Sequence, residues 1–124
     1  MNTTPLSAAY QLIVAALADA GLPLGTATFP RIALDGMQGE DLDKGGNIGR
    51  VYGTLHAISE ESYGEAFALM DAASDALHAA AGNSSSGWTL LDVSLGTISA
   101  VTESSDTANI VNRLTVSITA IIEQ

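Results

Sequence analysis

Two periods of apolar and polar residues alternate along the chain. From Leu6, the apolar positions Ala9, Tyr10, Ile13, Val14, Ala16, Leu17 and Ala20 recur at helical spacing, and Gly21 with Pro23 stops the pattern. Thr4 before Pro5 supplies an N-cap and then a proline at the first helical position, where its missing N–H costs nothing. The spacing predicts a helix over Pro5 to Ala20. In the stretch from Thr26 to Leu34, Ile32 and Leu34 alternate with Arg31 and Ala33, while Pro30 forbids a central strand position, so a short or edge strand is expected. Asp35 to Asn47 holds four glycines and four acids with no sustained period, which reads as a loop, mobile in the isolated protein.

A period of two returns at Ile48 to Ile58, with Val51, Gly53, Leu55 and Ala57 on one face and Arg50, Tyr52, Thr54 and His56 on the other. Ser62 and Glu65 then stand at capping-box spacing. They open a helix with Tyr63, Ala66, Phe67, Met70, Ala73, Leu77 and Ala80 on one face, ended by Gly82-Asn83. Asn83 to Gly87 reads as a small polar loop, Trp88 to Val101 as strand, and Thr102 to Thr107 as a polar turn. From Ile110 the even positions Leu114, Val116, Ile118, Ala120 and Ile122 are apolar and Arg113, Thr115, Ser117 and Thr119 polar. That strand exceeds the usual length of about five to six residues, so part of it is expected to extend beyond its own sheet. The order α-β-β-α-β-β, with strand pairs close in sequence, predicts a single α+β domain over residues 1–124: a mainly antiparallel sheet with two helices packed on one face.

Composition narrows the function. The 124 residues include 47% apolar and 15% charged side chains, enough to bury a core. Four Lys plus Arg stand against 14 Asp plus Glu, a formal charge of −10, which disfavours gripping a nucleic acid by its phosphates. Cys is absent, which excludes a disulfide framework and a thiolate nucleophile and points to a reducing compartment. Neither a signal peptide nor a membrane segment is expected.

Candidate chemistry is sparse. His56 and His78 share no metal-ligand spacing. The pairs Glu61/Glu65 and Asp71/Asp75 read as a solvated acidic helix face. The acids Asp35, Glu40, Asp41 and Asp43 lack the spacing and terminal Glu of a calcium loop. No G-x-S-x-G elbow occurs, and Gly45-Gly46 with Gly49 precede a strand without the Gly-Lys-Ser/Thr of a phosphate loop. No catalytic residue, metal or cofactor is expected. Trp88 suits the core and an interface equally. The residues by themselves lead to a protein that works by contact.

The amphipathic first helix, then FPRIALDG, the strand RVYGTLHAIS, the helix EAFALMDAASDALHAA and the closing RLTVSITAII together resemble the tail-terminator (tail-completion) proteins of long-tailed bacteriophages, over about Leu6 to Glu123. The resemblance implies a structural virion protein, assembled in the host cytoplasm. It implies a six-membered ring of self copies at the head-proximal end of the tail, which stops tube growth, contacts the tail tube protein and joins the head-tail connector protein. DNA would pass through without specific binding, since six copies at −10 each would total −60 and repel phosphate. Ring closure needs a heterologous interface. Asp35, Met37, Glu40, Asp41 and Asp43, with the strand ends near Trp88 and Ile122, are the expected contributors. Another neck, tail-tube or baseplate protein is the alternative, a cellular binding module is further off, and an enzyme is the weakest class.

Overall fold

The computed structural model describes residues 4–25, 29–104 and 110–124. Helix α1 (Pro5–Asp19) begins as the cap predicts: the Ser7 amide donates to Thr4 Oγ1 at 3.1 Å. It buries Ala8, Ala9, Leu12, Ile13 and Leu17. Tyr10, expected on that face, lies one helical step off it and is 49% exposed. Strand β1 (Arg31–Asp41) pairs antiparallel with β2 (Ile48–Ser59).

Helix α2 (Tyr63–Ala79) is capped by Ser62, whose Oγ accepts from the Glu65 amide at 3.1 Å. It buries Ala66, Met70, Ala73 and Leu77, whereas Phe67, expected on the same face, is 44% exposed. Strands β3 (Ser84–Ser85), β4 (Trp88–Leu95), β5 (Ser99–Ser104) and β6 (Ile110–Glu123) complete the order.

All strands named here join one antiparallel sheet, ordered β1-β2-β6-β4-β3, with β5 also paired to β6. Strand β6 is central. It pairs with β2 without interruption from Asn112↔Ser59 to Glu123↔Ile48. On its other side β4 takes the C-terminal half and β5 the N-terminal half. Its length is therefore used inside its own sheet, against the expectation that part would project. The even positions of β6 and the Val51-Leu55-Ala57 face of β2 meet both helices in one core, with Ile13, Leu17, Met70 and Leu77 buried against Leu114, Ile118 and Ile122. Among the described residues, the opposite sheet face carries no helix.

Other sequence expectations change as well. The stretch Asp35 to Asn47 is not a loop: β1 continues to Asp41, and only the turn after it links to β2. The period is hidden because the register shifts by one between Asp35↔Thr54 and Gln38↔Tyr52, at a bulge where Gly36 adopts φ +63. A one-residue shift exchanges the two faces of the strand, so simple alternation fails across it.

Trp88 to Val101 is two strands rather than one. Leu95 faces Ile118 and Ser99 faces Thr115, so three residues, 96–98, span the two opposite them. Strand continues over Thr102–Ser104, where a turn was expected, and Ser105–Thr107 of that stretch lie outside the described residues, as do Thr26–Thr28 of the first predicted strand. Lastly, the Asn83–Gly87 loop contains β3 and a tight hairpin. Its Ser86 and Gly87 both take positive φ, 53 and 83, as a two-residue primed turn requires.

Candidate assembly surfaces

The β1–β2 hairpin is an arm held against the start of α1 through glycines. A Cβ on Gly49 would stand 2.8 Å from Pro5 Cβ, and one on Gly39 would stand 3.2 Å from Leu6 Cβ. These glycines thus permit close approach of helix and hairpin. Gly53, on the core face of β2, works likewise: the Met37 thioether fills the space its Cβ would occupy, where the β1 bulge delivers it. The arm's turn is tied by Asp43, whose Oδ1 accepts from the amides of Asn47 (2.8 Å) and Ile48 (3.1 Å).

The uncovered sheet face carries two polar clusters. Near the arm, Tyr52 Oη donates to Glu40 Oε1 at 2.7 Å and accepts from Arg50 Nη1 at 2.9 Å, and Arg50 reaches Glu40 at 3.2 Å. The hydrogen bond to Tyr52 holds the guanidinium above its ordinary range, with no consequence near neutrality because arginine is charged throughout. Closer to the middle, His56 Nε2 lies 3.0 Å from Asp35 Oδ2, and its Nδ1 lies 3.0 Å from Thr115 Oγ1. That contact stitches β1, β2 and β6 together. Thr54, Ser117 and Thr119 continue the face between the clusters.

The structure therefore separates the residues expected at an interface. Asp35, Glu40, Asp41 and Asp43 are exposed on β1 and its turn, three of them engaged within the chain as just described. Met37 packs partly into the core. Trp88 (2% exposed) and Ile122 (0%) are buried on the helix-facing side, so those two side chains offer no surface in this fold. Period-2 placement puts both on the apolar face, which is the physical reason. Exposed apolar groups lie elsewhere on the sheet: Leu42 after β1, Leu91 in a β4 bulge, Ile98 just before β5 and Val101 within it. The signal for Leu91 was the doublet Leu90-Leu91, which breaks alternation as a bulge does. Ser59 was overlooked. It is fully buried, donates from Oγ to Glu65 Oε1 at 2.7 Å and accepts from the amides of Glu61 (3.0 Å) and Ser62 (3.3 Å), tying the end of β2 to the start of α2.

Among the described residues no group of three or more His, Cys, Asp or Glu side chains is placed to hold a metal ion, and no helix is long and apolar enough to cross a membrane. The arrangement is one of surfaces: an arm, a bare hydroxyl-rich sheet face and sheet edges. The family model described as "Tail completion protein gp17" matches residues 7–123. This chain belongs to that family. The tail-completion chain is accordingly a structural tail protein of phage-like particles. Its fold is also that of a chain in a solved structure titled "Virion of native gene transfer agent (GTA) particle", with a TM-score of 0.68 and 21% identity, over 98% of this chain and 96% of that one. No curated protein matches the sequence.

Proposed function

We propose that the chain forms a ring, taken as six copies, at the head-proximal end of a tail tube, where it stops tube growth and provides the seat for the head-tail connector. Membership of a tail-completion family over 7–123 carries this reading. The fold supports it in a specific way: a single sheet, covered by helices on one face only, leaves a bare face and edges that neighbouring molecules can cover. The role is mechanical and not enzymatic, and the work is done by contacts with self copies, the tail tube protein and the connector protein. DNA passes without being gripped. The helical layer supports that, since α1, α2 and their flanking turns carry Asp19, Glu60, Glu61, Glu65, Asp71 and Asp75 with no Lys or Arg.

Native mass by light scattering on a sizing column, over a concentration series and then on tails, tests the ring. A 12.7 kDa chain gives about 76 kDa as six copies. Labelled-antibody electron microscopy of intact particles tests the position. Label at the head-proximal end of the tail is expected. Label along the tube or at the baseplate would overturn the capping role, and a chain that stays monomeric both free and on tails would overturn the ring.

A further inference from the structure

We infer that successive copies join sheet edge to sheet edge, the Ala33–Leu42 edge of one copy pairing with the Leu91–Thr102 edge of the next, with Gln38 of one level with Ser94 of its neighbour. The joint rests on the ring reading above.

Four observations lead to it. First, among the described residues the sheet has two edges with long unpaired stretches. At its start β1 is covered where the Ile32 amide donates to Pro23 O (2.9 Å) and Gly25 N–H to Ile32 O (3.2 Å). Strand β4 is covered at its start by the Gly82–Asn83 backbone, bonded to Leu90 at 2.7 and 2.8 Å. Past those points β1 has a strand partner on one side only, as do β4 and β5. Such edges are templates for another strand unless they are protected.

Second, the two edges are chemically unlike. Asp35, Glu40 and Asp41 line the first, so two copies of it repel. The second has Asp92 as its one charged residue between Leu91 and Thr102, and exposes Leu91 (46%), Ile98 (42%) and Val101 (49%). That is a largely apolar edge with a single charge to guard it.

Third, the strand directions agree. Three antiparallel steps from β1 through β2 and β6 to β4 leave β1 and β4 antiparallel to each other. A copy generated by rotation about an axis along the strands keeps its direction. It therefore offers its β1 antiparallel to the β4 and β5 beside it, which is the more stable pairing. The operation repeats with both edges used, as a heterologous ring requires.

Fourth, the levels agree. Cross-strand partners place Glu40, Arg50, Ile121 and Asp92 in one row across the sheet. They also place Gln38, Tyr52, Thr119 and Ser94 in one row, so Gln38 and Ser94, both exposed, stand at the same height on opposite edges. Rotation brings one against the other.

The chain has no cysteine, so paired cysteines report contacts cleanly. Particles are made with Gln38→Cys/Ser94→Cys in place of the natural chain, oxidised, and run on a non-reducing gel beside each single variant. Bond formation requires Cα atoms within about 7 Å. A ladder of two to six linked chains from the double variant, lost in both single variants, is the expected result. A dimer from Ser94→Cys alone would mean two apolar edges meeting about a two-fold axis and would overturn the joint. Particles that carry the chain at the mass of a ring but give no linkage would overturn the joint and leave the ring standing. Absence of the natural chain from particles would overturn both. Should that pair fail to fold or to enter particles, Glu40→Cys/Asp92→Cys, exposed and in the neighbouring row on the same face, is read in the same way.

Discussion

Gly49→Ala tests whether the stretch that reads as a loop is a clamped arm. The added Cβ would lie 2.8 Å from Pro5 Cβ, 3.2 Å from Pro5 Cγ and 3.4 Å from Glu40 O. Carbon atoms pack best at about 3.5 to 4.0 Å, so helix and hairpin must part by about 0.7 Å or more. Pro5 is a poor candidate to yield, because its ring is rigid and it occupies the first turn of α1. Overpacking of this kind costs about 1 to 3 kcal/mol. The φ at Gly49 lies outside the left-handed region, so alanine recovers about 0.4 to 1 kcal/mol by restricting the unfolded chain. The expected net loss is about 1 to 2 kcal/mol. With a urea slope of about 1 to 3 kcal/mol/M, the unfolding midpoint should fall by about 0.3 to 2 M, read by circular dichroism. Gly64→Ala is the control: it sits in the first turn of α2 with only Ser62 Oγ, at 3.6 Å, near its added Cβ, and should hold or raise the midpoint. A Gly49→Ala protein at least as stable as the unmodified chain would refute the clamp and return the segment to a loop.

Two further substitutions address the ties found in the structure. Ser59→Ala removes a buried hydroxyl that serves one carboxylate and two amides, and should lower stability by about 1 to 2 kcal/mol in the same urea assay, because water reaches the exposed Glu61 and Ser62 amides and limits the loss. An unchanged midpoint would show that the β2–α2 corner is held by packing alone. Asp43→Ala should speed amide hydrogen exchange at Asn47 and Ile48 and cost about 1 kcal/mol, with Asp43→Asn recovering most of it since an amide oxygen also accepts. Equal exchange in all three proteins would exclude Asp43 as the turn's anchor.

What the sequence determined by itself was the local order. Caps at Thr4 and Ser62, helical spacing in α1 and α2, and strict alternation in β2 and β6 each depend on residues a few positions apart, and each survives in the fold. The exceptions within these elements are side chains at the rim of a helix face: Tyr10 and Phe67 lie outside because the width of the buried stripe depends on what packs against it. Tertiary structure decided everything that required knowing a partner. Gly39 and Gly49 read as loop flexibility until α1 lay over them, and Gly53 as a weak strand position until Met37 filled it. The β1 and β4 bulges shift register against distant strands, so no local window shows which face a residue takes past them. The candidate surfaces follow the same division. The acids of β1 were legible as exposed, but the placement of Gln38 and Ser94 at one height on opposite edges exists only once β6 has assembled the sheet, because height is set by hydrogen-bond register between residues far apart in the chain.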